Sequence, residues 1–535
     1  MFSQICRRSR THIQIRGLHK ERYQSFVPHN ILRKSEDVGV RPGGEEFTVV
    51  NPANNEVLCT VLSPSSEDVR KAVTHAHEVY MSGVWSKSSA IFRSKVLSRL
   101  AYMLENQIPD IARIEVLQTG RAIREMNAQM SRLPEWLHYY AALLRTHQGY
   151  VAPTQGKLLN YVQRVPLGVV AQITPFNHPL FIAMKKIAPA LAAGNSVIVK
   201  PSELAPISVL EFAEMAAEAG VPSGVLTVLP GFGPTTGKEL VSHPLIRKVD
   251  ITAGTSTGRA LGGVVGSNLA SYTAELGGKA PILVFDDADV QSAVNGVAFS
   301  AFIASGQTCV SGTRIIVQDK IYDAFMTGFL GKVESIANSM GDPSNPLCSM
   351  GSIISHRHLE RIERMVDSRT NGTILAGGKR MVGRSLLDDF DFSRGSFFAP
   401  TVISEVDTKD ELWQEEIFGP VVAVARFSDE AEGVALANAS RYGLGAGIWT
   451  TNLSRAHQVA ADIESGLVWI NAHHRNDPSS PWGGMKESGI GRENGIEALE
   501  SYSQSKSIIV NTASSEETRQ TDDWFTESGD TKRYG

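Results

Sequence analysis

The sequence predicts an α/β protein with two lobes, each built on a mostly parallel sheet that helices cover. Its length of 535 residues exceeds what one hydrophobic core organises, so two or more domains are expected. Short β-rich runs alternate with helical runs of roughly 10–15 residues, the pattern of strand–helix units in parallel sheets. The alternation occurs in two successive series, which indicates two lobes with a cleft between them.

A hairpin and a long helical stretch come before the first series. The run EEFTVVNPANNEVLCTV reads as two strands around Asn-Pro and Asn-Asn turns. From about Ser66 to Leu144 the pattern is mostly helical. The strand–helix units therefore begin after this stretch.

The two series are recognised by their apolar strands. The first consists of LGVVAQIT, SVIVK, GVLTVLP and KVDITA, each followed by a helical run. The second starts near APILVF (280–285) and continues through TRIIVQ, FFAPTVI, VVAVARF, LGAGIWT and SGLVWIN. Ligands of doubly wound sheets bind beyond the carboxyl ends of the strands, so the loops after these strands are the expected place for functional residues.

Composition excludes several classes of partner and site. A net charge of -4 and a pI near 6.4 give no footprint of a nucleic-acid-binding protein. No apolar run approaches the roughly 20 residues that span a bilayer, so no membrane partner is expected. The cysteines Cys6, Cys59, Cys309 and Cys348 are too few and too scattered for a disulfide framework or a CxxC metal site. No metal is predicted, and a reducing compartment fits best.

The first residues differ from the rest of the chain. MFSQICRRSRTHIQIRGLHK contains four arginines and Lys20, with no acidic residue before Glu21. Arg-rich, acid-poor starts are typical of mitochondrial transit peptides. Residues 1–25 are therefore either a targeting segment, which would place the protein in the mitochondrial matrix, or a disordered basic terminus of a cytoplasmic protein.

Cys309 is the first candidate for chemistry. It lies in SGQTCVSGTR (305–314) among small and polar neighbours, whereas a structural cysteine usually lies among aliphatic side chains. A reactive cysteine needs access, a lowered pKa and nearby backbone donors. Small neighbours leave room for those requirements.

Three loops indicate a dinucleotide site. GFGPTTG (231–237) follows a strand and opens a helix, although its glycines are spaced one residue wider than GxGxxG. VKPSE (199–203) ends an apolar strand with a lysine and a carboxylate that can reach ribose hydroxyls. TAGTSTG (252–258) is another strand–loop–helix entry suited to a pyrophosphate.

Two further motifs complete a candidate set. Glu275 in TAELGGKAP precedes two glycines, so backbone can approach it closely, and Asn177 in TPFNHPL follows a strand. A thiol, an amide donor and a carboxylate beside a nucleotide site fit one reaction centre. Each residue taken alone is more often structural.

Together these motifs resemble the NAD(P)-dependent aldehyde dehydrogenase superfamily. PFNHP, KPSE, ELGGK, GQTC, EEIFGP (415–420) and PWGGMKESGIGRE (481–493) occur in the order that family has, over roughly residues 45–510. The resemblance implies an aldehyde dehydrogenase-like α/β fold with a Rossmann-type nucleotide-binding lobe, an α/β catalytic lobe and a small bridging β-element. It implies these divisions: 26–150 and 167–276 for NAD binding, 277–495 for catalysis, 151–166 and 496–513 for bridging, and 514–535 as a polar tail. The bridging element of the family makes dimers or tetramers, so a homodimer or homotetramer is expected.

The resemblance also assigns roles to individual residues. Cys309 matches the nucleophile, Glu275 the general base and Asn177 the oxyanion-binding amide, while Lys186 and Glu493 match positions linked to proton handling and site organisation. The implied cofactor is NAD, with NADP as the alternative. The predicted cofactor-binding residues are Thr174, Phe176, Lys200, Glu203, Gly233, Gly237, Gly254, Thr255, Gly258, Glu416 and Phe418.

The chain departs from the family pattern at two places. Ala253 and Gly254 replace the usual glycine and serine of the pyrophosphate loop. Glu203, which matches the family, favours NAD because its carboxylate would repel a 2′-phosphate. Positions that are often aromatic in relatives are polar or charged here. The predicted substrate-facing residues are His178, Lys185, Ile303, Arg475, Asn476 and Trp482.

These residues leave two interpretations of the substrate tunnel. In one, Lys185 points to solvent and Arg475 pairs with Asp477. In the other, the charges select a polar or anionic aldehyde, one that carries a carboxylate or phenol oxygen.

The leading function is NAD-dependent oxidation of a small-molecule aldehyde to an acid through a cysteine thiohemiacetal and thioester. One alternative is CoA-acylating or phosphate-dependent reduction on the same fold, which needs no water-activating base such as Glu275. Another is a non-catalytic, crystallin-like structural relative, against which the retained Cys309, Glu275 and Asn177 argue.

Overall fold

A computed structural model describes residues 45–521 and Phe525 of the chain. The predicted targeting segment, the first residues of the predicted nucleotide-binding lobe and most of the polar tail lie outside these residues and stay predictions. Within the described part, no helix combines the length and the apolar character needed to cross a bilayer.

The strands follow the apolar runs of the sequence. In chain order they are β1 Glu46–Val50, β2 Val57–Leu62, β3 Tyr150–Ala152, β4 Leu158–Pro166, β5 Val169–Ile173, β6 Ser196–Lys200, β7 Leu226–Val228, β8 Ile246–Thr252, β9 Ser271–Glu275, β10 Pro281–Val284, β11 Arg314–Gln318, β12 Thr373–Ala376, β13 Thr401–Ser404, β14 Val421–Phe427, β15 Tyr442–Gly443, β16 Gly445–Trp449, β17 Leu467–Ile470, β18 Met485–Lys486, β19 Gly489–Ile490 and β20 Ser503–Asn511.

The helices fill the stretches between them. They are α1 Ser66–Ser82, α2 Ala90–Glu105, α3 Ile108–Thr119, α4 Ile123–Met130, α5 Pro134–Thr146, α6 Pro179–Ala193, α7 Ile207–Glu218, α8 Lys238–Ser242, α9 Thr255–Ser267, α10 Val290–Phe302, α11 Asp319–Asn338, α12 His356–Asp367, α13 Glu411–Gln414, α14 Glu430–Asn438, α15 Leu453–Asp462, α16 Gly495–Ser501 and α17 Ser515–Thr521. Short 3₁₀ turns cover Ile303–Gly306 and Phe392–Arg394, and a π-helical turn covers Gly233–Gly237.

The four strands of the first series, β5 to β8, form a six-stranded sheet together with β9 and β19. Its order is β19-β9-β8-β5-β6-β7, and all neighbours run parallel except β19, which is antiparallel to β9. Every residue of β6 is buried, as expected for a parallel strand covered on both faces. Because parallel strands end at one edge, the residues that follow β5, β6, β8 and β9 meet at that edge of the sheet.

The six strands of the second series form a seven-stranded sheet together with β12. Its order is β12-β13-β14-β11-β10-β16-β17, parallel throughout except for β12. Each sheet has its own hydrophobic clusters, and the mostly parallel α/β architecture predicted from the two series is confirmed.

Three smaller sheets complete the fold. β1 and β2 form the predicted hairpin, and β15 pairs with β18. β4 pairs along its whole length with β20, and β3 joins on its other side. The two segments named for the bridging element therefore lie in one antiparallel sheet, while the boundaries of the domains stay a prediction.

Candidate active site

A strained turn leads to Cys309. Helix α10 ends at Phe302, and Ala304, Ser305 and Gly306 then follow with φ of 53°, 55° and 69°. Glycine is required at 306, because a Cβ atom there would lie 2.2 Å from the carbonyl oxygen of Gly419. The turn presents Cys309 half-buried, next to the apolar cluster that contains Val310 and Trp482.

The surroundings of Cys309 determine the protonation of its thiol. Burial, together with the carboxylates of Glu416 and Glu275, raises the pKa of the thiol to about 12. The enclosure that surrounds the thiol thus disfavours its charged form, whereas a reactive cysteine needs a lowered pKa.

Asn177 faces the loop that carries Cys309. Its Nδ2 donates to the carbonyl oxygen of Gln307 at 2.8 Å, and its Oδ1 is buried without a partner. Gln307 is itself fixed, because its Oε1 accepts from the backbone N–H of Ile354 at 3.0 Å. The amide of Asn177 is thus bound to Gln307, two residues before Cys309 in the same loop.

Glu275 is a buried carboxyl group without a partner. It ends β9, is 3% exposed, and neither of its oxygens has a hydrogen-bond partner within the described part of the chain. Burial, and then the charge of Glu493, raise its pKa well above the ordinary carboxyl range. A Cβ atom on Gly483 would lie 2.9 Å from Oε1, so glycine keeps the space beside this carboxyl group open.

The two glycines after Glu275 allow a close backbone approach. A Cβ atom on Gly278 would lie 2.1 Å from the carbonyl oxygen of Cys309. The sequence motif with Glu275 and the loop with Cys309 are therefore in direct contact.

Lys185, Lys186 and Glu493 form a buried charge cluster. Glu493 Oε2 lies 2.7 Å from Lys185 Nζ, and Oε1 lies 2.5 Å from Lys186 Nζ. Burial alone would raise the pKa of Glu493, but the two ammonium groups outweigh it and lower the pKa to about 2. Lys185 Nζ also lies 4.2 Å from the centre of the Trp482 ring.

Neither interpretation of Lys185 made from the sequence describes this contact. Its side chain is 4% exposed, so it does not point to solvent, and its charge is already paired with Glu493. Arg475 makes no ion pair with Asp477, whose carboxylate instead accepts from Ser479. The sequence could not show the pairing of Lys185, because Glu493 comes from a segment 308 residues later in the chain.

A buried network that the sequence analysis missed extends this cluster. Lys186 Nζ lies 2.5 Å from Asp250 Oδ1, and the Tyr502 hydroxyl donates to Asp250 Oδ2 at 2.6 Å. Gln172 Nε2 donates to the Tyr502 hydroxyl at 3.0 Å. The sequence signal was the pair of charged residues, Lys248 and Asp250, in the otherwise apolar strand KVDITA.

The predicted ribose-binding residues lie at the edge of the six-stranded sheet. Lys200, the last residue of β6, is 3.2 Å from the carboxylate of Glu203. Thr174 follows β5, and its Oγ1 is buried without a partner in the described structure. An orphaned hydroxyl beside a lysine and a carboxylate fits a site for a polyhydroxylated ligand.

The predicted pyrophosphate loop begins α9. Its first residue, Thr255, follows Gly254 as N-cap, and no side chain caps this helix. A Cβ atom on Gly254 or Gly233 would meet nothing within 4 Å, so space is open in front of both loops. Uncapped helix amides beside open space suit an anionic ligand.

Two other glycines of these motifs, Gly237 and Gly258, are not at the open space in front of the loops. Gly237 ends the π-helical turn that leads into α8, and a Cβ atom there would meet only a carbonyl oxygen at 3.9 Å. A Cβ atom on Gly258 would lie 2.2 Å from the Leu276 side chain. Gly258 is thus explained by the packing of α9 against β9 rather than by an opening toward a ligand.

Glu416 and Phe418 lie between the two sheets. Glu416 Oε1 accepts from the backbone N–H of Gly278 at 3.0 Å, and burial raises its pKa to about 7. Phe418 has φ of 59°, and its ring centre lies 5.7 Å from that of Phe176. His358 Nε2 lies 2.7 Å from the Phe418 carbonyl oxygen and holds this strained residue in place.

A cavity of about 540 Å³ opens beside α4, α10 and α11. Three of the predicted substrate-facing residues line it, namely Ile303, Arg475 and Asn476. His178, Lys185 and Trp482 are buried more deeply and are not among its lining residues. His474 connects the two regions, since it lines the cavity and its ring centre lies 6.1 Å from that of Trp482 and 5.9 Å from that of His178.

His178 is held as a neutral ring. Arg121 Nη1 lies 2.6 Å from His178 Nδ1, and a guanidinium can only donate, so Nδ1 accepts and Nε2 carries the proton. Burial, and then the charge of Arg121, lower the pKa of His178 well below its ordinary value.

Arg121 and Glu125 are a second set that the sequence analysis missed. They form an ion pair of 3.2 Å with side chains 3% and 6% exposed. Glu125 also accepts from the backbone N–H of Ala304, and Arg121 donates to the carbonyl oxygen of Asn177. Their spacing of four residues on a helical segment was the available signal.

The fold and this site define a class: a two-lobed α/β oxidoreductase with a cysteine at the junction of its sheets. The sequence model of the aldehyde dehydrogenase family matches residues 40–508, and the chain belongs to that family. The protein is therefore an aldehyde dehydrogenase.

Solved structures agree with this assignment. Betaine aldehyde dehydrogenase from Staphylococcus aureus, in complex with NAD+, is 36% identical, with 90% of this chain and 94% of that chain covered and a TM-score of 0.86. PnpE from Pseudomonas sp. WBC-3 is 39% identical, with coverages of 88% and 95% and a TM-score of 0.84, and it is also known in complex with nicotinamide adenine dinucleotide.

Proposed function

We propose that the protein oxidises an aldehyde to a carboxylic acid with NAD, through a thioester on Cys309. The observation that carries this proposal is Glu275, a carboxyl group that is buried without a partner and shares a glycine-lined contact with the Cys309 loop. A CoA-acylating or phosphate-dependent reductase needs no water-activating base, and a structural relative needs no unpaired buried carboxyl group.

The first step is addition of the Cys309 thiolate to the aldehyde carbon, which gives a thiohemiacetal. The developing oxyanion would be bound by the Asn177 amide and the backbone N–H of Cys309. Loss of one such donor typically lowers the rate by about 10²–10³. Because the pKa of the thiol is raised, its proton must pass to a base, for which ionised Glu275 is the candidate, before the sulfur adds to the aldehyde.

NAD fits the residues at the edge of the six-stranded sheet. Lys200 and Glu203 would hold the adenosine ribose, the amides at Gly254 and Thr255 the pyrophosphate, and Glu416 the nicotinamide ribose. When bound, NAD supplies the hydride acceptor that converts the adduct on Cys309 into a thioester. The carboxylate of Glu203 disfavours a 2′-phosphate, so NAD is preferred over NADP.

The second step is hydrolysis of the thioester. Ionised Glu275 would take a proton from water, a general-base role worth on the order of 10²–10⁴ in rate. Lys186 and Glu493 would carry protons away or set the charge around Glu275, since Glu493 raises and Lys186 lowers its pKa.

The substrate would be a polar or anionic small-molecule aldehyde. Arg475 and Asn476 lie on the wall of the cavity, and Ile303 supplies an apolar part of it. Charged groups of one sign on the approach to a site favour a ligand of the opposite sign.

Subunits would associate through the sheet β3-β4-β20 as a homodimer or homotetramer. Its exposed apolar residues are Tyr150, Val151, Leu158, Leu159, Tyr161, Ile509 and Val510, each at least 36% exposed in the single chain. By the strand register, Val151, Leu159, Tyr161 and Val510 share one face of the sheet, and Tyr150, Leu158 and Ile509 share the other. Exposed apolar residues grouped on one sheet mark a protein–protein contact.

The central test is formation of NADH by the wild-type protein and by Cys309→Ala across a panel of aldehydes. We expect NADH only with the wild type, and unchanged NAD binding by the variant in calorimetry. Activity of the variant would exclude Cys309 as the nucleophile. Acyl-CoA formed on addition of CoA would favour the reductase alternative instead.

A further inference from the structure

We propose that the cavity next to α4, α10 and α11 is an anion-recognition site for the end of the substrate remote from the aldehyde. The ligand class is an aldehyde with an apolar body and a terminal carboxylate. This inference rests on the proposed function and adds Arg124 and Lys332 to Arg475, which the sequence had already indicated.

Cationic side chains dominate the polar part of the cavity. Its cationic lining residues are Arg121, Arg124, Arg132, Lys332 and Arg475, against Glu125 as the acid. Its apolar lining residues are Ala128, Trp136, Phe181, Ala298, Phe299, Phe302, Ile303 and Ile336. The volume of about 540 Å³ is within the range of small-molecule sites.

Three of the cations have no acidic partner. Arg121 is paired with Glu125, and Arg132 lies 3.0 Å from Glu135. Arg124, Lys332 and Arg475 form no ion pair with any residue in the described part of the chain. We call these three residues the cationic rim.

The members of the cationic rim come from separate parts of the fold. Arg124 is on α4, Lys332 on α11, and Arg475 in the loop after β17. A solvated helix face would place its charges on one element. Convergence of three elements on one cavity instead builds a positive mouth, where an anion would be attracted and guanidinium groups could bind a carboxylate bidentately.

The deeper cations cannot perform this role. Lys185 is paired with Glu493, and Arg121 is paired with Glu125 and donates to His178. A second anion placed near them would compete with a buried carboxylate that is already bound. The negative group must therefore bind at the cationic rim, and the aldehyde reaches inward past apolar side chains such as Ile303.

The path from the cationic rim leads toward Cys309. Ile303 lines the cavity and begins the turn that leads to Cys309. His474 also lines it and packs near Trp482, which belongs to the cluster next to Cys309. One substrate could thus contact the cationic rim with its carboxylate and the thiol with its aldehyde.

The experiment compares kcat/KM for glutaric semialdehyde, for an aldehyde of the same length that ends in a phosphate, and for pentanal. We expect the wild type to favour the carboxylated aldehyde over pentanal by at least about 10-fold, the effect of one charged hydrogen bond. A higher kcat/KM for the phosphate-bearing aldehyde than for glutaric semialdehyde would overturn the assignment of a carboxylate. Equal values for all three would overturn the anion site.

The variant Arg124→Gln/Lys332→Gln/Arg475→Gln should lose the preference, because its KM for glutaric semialdehyde should rise to that for pentanal. A matched control is Lys95→Gln/Arg99→Gln/Arg145→Gln, which removes the same charges from a separate surface pocket between α2 and α5. The control should keep the preference. Retention of the preference by the rim variant would contradict the proposal, whereas no NADH with any aldehyde from the wild type would instead contradict the proposed function.

Discussion

At the scale of single residues, two buried carboxyl groups have pKa values that move in opposite directions. Glu275 is buried without a partner, so its neutral form is favoured, while Glu493 lies between two ammonium groups and stays charged. The charge on Glu493 also helps to keep Glu275 protonated. Groups whose surroundings separate their pKa values in this way are suited to different steps of one reaction.

The first residue-scale prediction concerns Glu275→Gln. A base acts only when ionised, so thioester hydrolysis in the wild type should slow as the pH falls through the raised pKa of Glu275. In the variant this dependence should vanish, and a pre-steady-state burst of NADH should remain with turnover lowered about 10²–10⁴-fold. The test is rapid-quench measurement of acyl-enzyme decay over a pH range around neutrality, from about pH 5 to about pH 9. Decay at the wild-type rate would require another base.

Residue types and their order predicted much of this site but not its charge pairs. Cys309, Asn177 and Glu275 were found from the small and glycine-rich neighbours that allow backbone to approach them. The pairing of Lys185 with Glu493 was missed because it joins segments that only the folded chain brings together. The raised pKa of Cys309 was missed for the same reason, since burial is a property of the whole site.

At the scale of elements, the turn Ile303–Gly306 stores backbone strain beside the thiol. Ala304 is in the left-handed region, which costs a non-glycine residue roughly 1–2 kcal/mol. Glu125 compensates by accepting from its backbone N–H at 3.2 Å. The turn is therefore held by Glu125 of α4, which is paired with Arg121 just before that helix.

This strain predicts that Ala304→Gly does not destabilise the protein. Alanine-to-glycine changes normally cost about 1 kcal/mol, but glycine relieves the strain here, so the melting temperature should be equal to or above that of the wild type. Ala301→Gly, at a buried site inside α10, is the matched control and should lower it. Equal losses in the two variants, measured by calorimetry, would show that Ala304 is not strained.

Elements were predictable where the local pattern was strong. The Val- and Ile-rich strands of both sheets and the β1–β2 hairpin were all found from apolar runs and turn residues. The two-residue strands β15, β18 and β19 were not, since they have too few residues to show a period. They exist because folded neighbours offer unpaired backbone, such as β9 for β19.

At the scale of the whole molecule, the exposed apolar residues of the sheet β3-β4-β20 predict association. Ile509→Glu should shift the protein to a smaller species, because a charge in an apolar contact is left without a partner. Leu453→Glu, at a residue 73% exposed on α15, is the control and should leave the assembly unchanged. Sedimentation velocity measures the size of both variants. An unchanged sedimentation coefficient for Ile509→Glu would show that the contact lies elsewhere.

Tyr502 connects the sheet β3-β4-β20 to the interior. It directly precedes β20, and its hydroxyl holds Asp250, which in turn holds Lys186 beside Glu493. If subunits meet through β20, the free energy of association and the proton occupancy of the Asp250–Lys186–Glu493 network become linked quantities, and linkage is reciprocal. A proton bound at one reaction centre would then change the affinity between protomers, and assembly would in turn change the acidity of each centre.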